Sequence, residues 1–103
     1  MSLKKQYLKS KPVCKVTFSM DKEAVSGAEK VDLLGEFNNW NTAEPVKMKM
    51  LKNGTFKVTI DLPAENEFQF KYLLDGEIWI NDGGADKYVN SGLGAEENSV
   101  VVL

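Results

Sequence analysis

The chain has 103 residues, of which 43% are hydrophobic, 10% aromatic and 27% charged. This length and composition are typical of one small globular domain and exclude a second full domain. All 13 basic residues are Lys, and the formal net charge is −2. Nucleic acid is therefore not an expected ligand, because Arg carries most bidentate recognition of phosphate and guanine, and an acidic domain releases few counterions.

Residue types that usually carry catalysis or bind metals are scarce. The chain has no His, which removes the commonest general base near neutral pH and the commonest metal ligand. We therefore predict no metal and no cofactor. The single Cys14 excludes an internal disulfide, and its place in an alternating segment favours a buried thiol over a nucleophile.

Membrane association is not expected either. No stretch reaches the roughly 18 consecutive apolar residues of a membrane span, and the N-terminus lacks the apolar core of a signal peptide. A cytoplasmic location is the resulting expectation.

The first twelve residues differ in composition from the rest of the chain. They contain four lysines, Lys4, Lys5, Lys9 and Lys11. We interpret residues 1–12 as a basic, solvated N-terminal tail and residues 13–103 as the folded domain, with an anion-binding arm as the alternative for the tail.

From residue 13 onwards the hydrophobic pattern has a period of two, which is typical of strands. Cys14, Val16 and Phe18 form one face of the first strand, and Met48 and Met50 are expected in the core. Seven short strands are predicted, at 13–20, 31–36, 46–50, 56–60, 68–72, 78–80 and 99–103. Their number and spacing favour an all-β, immunoglobulin-like antiparallel sandwich.

Two further segments are assigned from their turn residues. Asn53-Gly54 carries the signature of a tight hairpin before the strand at 56–60. Residues 81–97 are polar and contain four glycines, so we expect a long surface loop there.

The turn after the strand at 68–72 decides which side chains face outward. A three-residue loop at 74–76 pairs Tyr72 with Ile78 and Lys71 with Trp79. We prefer this register because it keeps the apolar side chains on one face. It places Trp79 and Lys71 on the outer face of the sheet.

Two tryptophans stand where a core does not obviously need them. Trp40 follows Asn38-Asn39 in a predicted loop, and Trp79 has outward parity. An exposed indole suits sugar stacking, because the axial C–H groups of a pyranose form a flat apolar surface. Nearby amides such as Gln69 can then bind hydroxyls. The alternative is that one Trp closes the end of the sandwich.

Two close pairs of carboxylates were weighed as glycosidase catalysts: Asp82 with Asp86, and Glu96 with Glu97. Both pairs lie in a Gly-rich segment, whereas a glycosidase holds its carboxylates at a fixed separation in a cleft. We therefore interpret them as turn-forming or solvated residues and predict that the chain is not an enzyme.

Several segments together match a family pattern. They are VDLLGEFNNW at 31–40, GTF at 54–56, FQFKY at 68–72, Asp75-Gly76 followed by Trp79, and Asn98-Ser99-Val100. With these segments the chain resembles carbohydrate-binding module family 48 from about residue 13 to residue 103. This family is the early-set domain of isoamylases, glycogen-branching enzymes and the β subunit of AMP-activated protein kinase.

The resemblance implies an early-set immunoglobulin-like sandwich that binds α-1,4-glucans such as glycogen or starch and has no catalytic groups. Trp40 and Trp79 match the two sugar-stacking Trp residues of the family, the second one residue later than in the commonest spacing. Lys71 matches the family's Lys. Leu93 and Asn98 match its Leu and Asn if one residue is inserted between them.

The first hypothesis is therefore non-catalytic glucan binding on two exposed Trp residues, with Lys71, Asn98 and Gln69 reaching sugar hydroxyls. The second is a protein-interaction module with a vestigial sugar site. Two departures from the family pattern favour the second: Ala95, which stands where the kinase subunit has Thr and implies one hydrogen bond fewer to the sugar, and the extra residue before Trp79.

A third hypothesis is a hydrolase label inherited from family 13 glycoside hydrolases, since the chain is too short for their barrel. The expected partners are an α-glucan and, beyond it, a glucan-metabolising enzyme or a second copy of the chain.

Overall fold

The computed structural model of the chain describes residues 3–92, 94 and 96–103. These residues form an all-β sandwich, which confirms the predicted fold class. Over the same ranges, no helix has the length and apolar character needed to cross a membrane. The elements are β1 (Leu3–Tyr7), β2 (Val13–Met20), β3 (Val31–Gly35), a 3-10 turn (Glu36–Asn38), β4 (Val46–Lys47), β5 (Lys49–Met50), β6 (Phe56–Pro63), β7 (Glu67–Leu74), β8 (Ile78–Ile80), β9 (Lys87–Asn90) and β10 (Glu97–Val102).

Two antiparallel sheets face each other across the core. The first sheet has the strand order β1-β2-β6-β5, and the second has the order β4-β3-β7-β10-β9. Strand β8 also belongs to the second sheet, where it pairs with the end of β7. The second sheet is the one that carries the candidate site.

The alternation in the first sheet produces the core face that the sequence predicts. Cys14, Val16 and Phe18 on β2 are fully buried, and β2 pairs with β6 along its whole length. On the opposite face, the hydroxyls of Thr17 and Thr59 lie 2.8 Å apart and share a hydrogen bond. Each strand therefore has one apolar and one polar face, as a half-buried strand requires.

Aromatic side chains of β7 fill the centre of the sandwich. Phe70 and Tyr72 are fully buried, and the ring centroids of Phe18 and Phe70 lie 5.1 Å apart in an edge-to-face arrangement. Such pairs contribute about 0.5–1.5 kcal/mol beyond their buried area. This packing holds the inner face of β7 in place, so that its alternate residues point outward on a rigid strand.

Residues 1–12 were assigned to a tail, but the described part of that segment contains β1, which pairs with β2. Leu3 packs against the core, and the Lys5 ammonium lies 2.7 Å from the Asp86 carboxylate next to the second sheet. This strand could not be recognised in the sequence, because the three residues between Leu3 and Tyr7 are two lysines and a glutamine. Lysines are a common feature of edge strands because they discourage pairing with other chains.

The single strand predicted at 46–50 is split between the two sheets. Val46–Lys47 pairs with β3, whereas Lys49–Met50 pairs with β6. Met48 lies between them and is buried, as expected, with its N–H donating to the Val31 carbonyl at 3.1 Å. The prediction that Met50 is a core residue is wrong, because the crossover leaves its side chain 49% exposed.

The prediction of a long surface loop at 81–97 is also wrong. Strand β9 lies within it, and Asp82 is fully buried. The Asp82 carboxylate accepts hydrogen bonds from the Tyr72 hydroxyl and the Gly84 N–H, both at 2.7 Å, and its carbonyl accepts one from the Tyr88 hydroxyl. Burial, together with the Asp82 carboxylate, raises the pKa of Tyr72 above its usual value.

Candidate functional site

The hairpin between β7 and β8 places Trp79 on the outer face of the second sheet. Leu74 pairs with Ile78, so the three-residue loop is 75–77 and Trp79 lies opposite Leu73. The predicted pairing of Trp79 with Lys71 is therefore wrong by two residues. An even shift leaves every side chain on the same face, and Trp79 remains outward, with 43% of its surface exposed.

The loop starts one residue later than predicted, at Asp75, whose side chain is fixed by two hydrogen bonds. The Asp75 carboxylate accepts hydrogen bonds from the N–H groups of Glu29 and Lys30, at 3.0 and 2.9 Å. Asp75 and Gly76 both have left-handed backbone conformations, with φ of 50° and 70°. Asp tolerates this region better than most residues, and Gly adopts it freely.

Trp40 reaches the same face through a tight turn at the end of β3. The turn starts at Gly35, whose N–H donates to the Asn38 side-chain oxygen at 3.0 Å. A Cβ at Gly35 would lie 2.5 Å from the Gln69 carbonyl oxygen and 2.9 Å from the Phe37 ring. Only glycine fits this close approach between β3 and β7.

The turn presents Trp40 in an uncommon backbone conformation. Asn39 and Trp40 have φ of 56° and 55°, and the Trp40 N–H donates to the Gly35 carbonyl at 2.9 Å. Phe37 anchors the turn in the core, with its ring centroid 6.0 Å from that of Phe18. A left-handed Trp is held against its intrinsic preference, which is a frequent property of binding sites.

The two tryptophans come together on this face. Their ring centroids are 6.5 Å apart, and the ring planes are inclined at 60°. Both rings line an open cavity of about 450 Å³, whose described lining residues are Trp40, Lys71, Trp79, Ser91, Glu96 and Asn98. Four of the six predicted sugar-binding residues therefore lie around one cavity.

The other two predicted residues have different positions. Gln69 does not line the cavity, and its side-chain oxygen accepts a hydrogen bond of 2.9 Å from the Asn98 amide. Leu93 lies outside the residues that the structure describes, as does Ala95.

Ser91 and Glu96 line the cavity but were not predicted as site residues. They lie in the loop between β9 and β10, where Asn90 pairs with Glu97 and the Ser91 N–H donates to the Glu96 carbonyl at 2.9 Å. In the sequence, Glu96 is notable only as half of the pair Glu96-Glu97. The family match of Leu93 indicated this loop, but no sequence signal indicated Ser91 or Glu96 themselves.

A small apolar layer lies on the same outer face of the second sheet. Leu34 pairs with Lys71, and Val100 pairs with Gln69, so these side chains point outward together with Leu73. Leu34, Leu73 and Val100 are nevertheless buried, at 0%, 7% and 1% exposure. Other parts of the chain therefore cover them, and the outer face of the second sheet is not fully open to solvent.

Sequence similarity assigns the chain to a known family. The family described as the glycogen recognition site of AMP-activated protein kinase matches residues 20–102. The chain belongs to this family. The module is thus of the family 48 type that the sequence motifs indicate. It is also 36% identical over 76 residues to the 5'-AMP-activated protein kinase subunit beta-2 of Homo sapiens and of Mus musculus.

The aligned region covers 74% of the module and 26% of each of these kinase subunits, so the match spans about a quarter of their length. Among solved structures, two of the enterobactin esterase FES from Shigella flexneri superpose with TM-scores of 0.72 and 0.73. They share 14% and 15% identity, and the match covers 99% of the module and 32% of the esterase chain. At this identity the likeness shows the fold alone.

Proposed function

We propose that the module binds α-1,4-glucans without catalysis, with Trp40 and Trp79 as the stacking surfaces. The observation that carries this proposal is the meeting of the two indoles at one open cavity with Lys71 and Asn98. The match to a glycogen recognition site supports the same ligand class.

The inclination of the two rings suits a curved chain of sugars better than a flat one. Successive glucose units of an α-1,4-glucan turn relative to each other, so two platforms inclined at 60° can each stack one unit. Lys71 supplies a donor and Glu96 an acceptor for hydroxyl groups at the rim. Each such hydrogen bond replaces one to water and contributes only about 0.5–1.5 kcal/mol, so affinity in the micromolar to millimolar range is expected.

The positions of Asp82, Asp86 and Glu96 in the described part of the chain do not favour a hydrolytic pair. The Asp82 carboxylate is fully buried and bonded to Tyr72, and Asp86 bonds to Lys5 and to the Val102 N–H. Among the described residues that line the cavity, Glu96 is the one carboxylate. Glycoside hydrolysis uses two carboxyl groups on either side of the scissile bond, so we propose binding alone.

Replacing one stacking ring tests the proposal directly. In Trp40→Ala, the loss of one platform should abolish measurable binding to a cyclic glucose oligomer in isothermal titration and remove retardation by glycogen in affinity gels. Tyr7→Ala is the matched control, because Tyr7 is an aromatic residue, 56% exposed, on an edge strand of the other sheet. This control should bind like the unmodified chain.

The same titrations and affinity gels distinguish glucan binding from the alternative, a protein-interaction module. A folded Trp40→Ala variant that keeps full glucan affinity would refute the site. An unmodified chain that binds no glucan at all would favour an interaction surface with a vestigial sugar site.

A further inference from the structure

Asn98 lies on the outer face of β10, where its side chain is fixed by Gln69. Val100 pairs with Gln69, which makes Asn98 a diagonal neighbour of Gln69 across the two strands. The Asn98 amide nitrogen donates to the Gln69 side-chain oxygen at 2.9 Å. With the amide held in this direction, its oxygen accepts no hydrogen bond from the part of the chain that the structure describes.

Gln69 is itself tied to the turn that carries Trp40. Its backbone N–H donates to the Glu36 side-chain carboxylate at 2.7 Å, and Glu36 is the first residue of the 3-10 turn. A continuous set of hydrogen bonds thus runs from the Trp40 turn through Gln69 to Asn98. It connects two walls of the cavity that are far apart in sequence.

The Asn81 side chain also forms hydrogen bonds with β10, the strand that carries Asn98. Its side-chain nitrogen donates to the Glu97 carbonyl at 2.9 Å, and its side-chain oxygen accepts from the Ser99 N–H at 3.0 Å and from the Ser99 hydroxyl at 2.8 Å. These backbone groups flank Asn98 directly. Asn81 follows Trp79 by two residues, so these hydrogen bonds connect the end of β8 to β10.

We propose that Gln69 and Asn81 are positioning residues of the glucan site. Neither contacts the sugar; both act through Asn98, whose side-chain oxygen they present to the cavity as the acceptor for a glucose hydroxyl. The inference rests on the proposed function and changes the role expected for Gln69 from a direct contact to a support. It adds Asn81, which no motif indicates.

Substitution of Gln69 tests the support from β7. Gln69→Met keeps the length of the side chain but loses the acceptor for Asn98, so affinity for a cyclic glucose oligomer should fall about three- to tenfold, the equivalent of one neutral hydrogen bond. Gln69→Glu keeps an acceptor at the same place and should bind within about twofold of the unmodified chain.

A double-mutant cycle with Asn98→Ala separates support from direct contact. If Gln69 acts only through Asn98, Gln69→Met should cause no further loss in the Asn98→Ala background. A full additional loss in that background would show that Gln69 reaches the sugar itself and would overturn the proposal. Unchanged affinity of the single variant Gln69→Met would overturn it as well.

Asn81 requires a readout of folding beside the binding constant. Asn81→Ala should lower the melting temperature and should lower the glucan affinity about three- to tenfold. In the Asn98→Ala background, Asn81→Ala should still lower the melting temperature but should cause no further loss of affinity. Asn81→Asp keeps the acceptor for Ser99 and serves if Asn81→Ala does not fold. It should show a smaller affinity loss of the same kind, and an affinity equal to that of the unmodified chain would contradict the role of Asn81.

These outcomes distinguish the inference from the function on which it rests. If the unmodified chain binds and Trp40→Ala does not, but the variants at Gln69 and Asn81 bind normally, the proposed function stands and the positioning role fails. If the unmodified chain does not bind α-glucans, both fail together.

Discussion

Single residues in the turn after β3 determine whether Trp40 can reach the cavity. Gly35 lets the backbone of β7 approach closely, and Asn38 closes the turn by accepting the Gly35 N–H. Asn39 and Trp40 then take left-handed conformations that β-branched residues would resist. The motif around Trp40 therefore encodes a backbone shape as well as an aromatic side chain.

Gly35→Ala tests this close approach. The new methyl group would lie 2.5 Å from a backbone oxygen that cannot move without disturbing β7, so we expect a loss of about 1–3 kcal/mol in the free energy of unfolding. Urea denaturation followed by circular dichroism measures the difference.

Gly83→Ala is the matched control, because a Cβ at Gly83 meets nothing within 4 Å and its φ is not in the left-handed region. This variant should unfold within about 0.5 kcal/mol of the unmodified chain. Equal unfolding free energies for the Gly35 and Gly83 variants would show that β3 and β7 can separate at little cost.

Most single residues of the candidate site, but not all of them, could be identified from the sequence. Trp40 and Trp79 could be recognised because an indole in a polar segment or at an outward strand position is unusual. Ser91 and Glu96 could not, because short polar residues in a Gly-rich loop look the same whether or not the loop reaches a cavity. Only the pairing of β9 with β10 brings them there.

Among the elements, those with one apolar and one polar face were predictable. The pairing of β2 with β6 follows from alternation, because only one register buries both apolar faces. Strand β9 was not predictable, since Tyr88 and Val89 are surrounded by polar residues. The strand pairs with β10, and its Tyr88 hydroxyl bonds to the backbone carbonyl of Asp82, a residue held by Tyr72 on a different strand.

The Tyr72 to Asp82 contact makes stability depend on pH in the alkaline range. The pKa of Tyr72 is raised in the folded state by burial and by the Asp82 carboxylate, whereas the unfolded chain releases the proton near pH 10. The folded state then binds more protons than the unfolded state, so stability falls as the pH rises above about 10. Above this pH, Tyr72 lowers the free energy of unfolding by up to about 1.4 kcal/mol for each pH unit.

Tyr72→Phe should remove this slope and, near neutral pH, cost about 1–3 kcal/mol, because the buried Asp82 carboxylate loses a donor. Urea unfolding at several pH values between 7 and 11 measures both effects. Tyr7→Phe is the control, since Tyr7 is exposed and should leave the alkaline slope unchanged. Parallel curves for the unmodified chain and Tyr72→Phe would contradict the assignment.

In the whole molecule, the residues of the candidate site belong to the second sheet and its loops. Trp79, Lys71 and Asn98 lie on strands of the second sheet, and Trp40 lies in a turn that leaves it. The first sheet contributes its inner face to the core. Because the same fold is found in the esterase structures at 14% and 15% identity, architecture alone does not specify a ligand. Under the proposed function, the outer face of the second sheet specifies the ligand.

Deleting residues 1–8 tests this division. The deletion removes β1 with Leu3, which packs on the core, and the Lys5 to Asp86 ion pair, so the free energy of unfolding should fall by about 2 kcal/mol. Glucan affinity in isothermal titration should stay within about twofold, because β1 belongs to the other sheet. A large loss of affinity in a folded truncated chain would show that the site depends on both sheets.

The chain contains two tryptophans, and both line the cavity. Indole fluorescence, excited at wavelengths where tyrosine does not absorb, therefore arises from one place on the surface. An unlabelled titration can follow the occupancy of that place directly, and the short separation of the rings allows energy transfer between them to report changes in their mutual orientation.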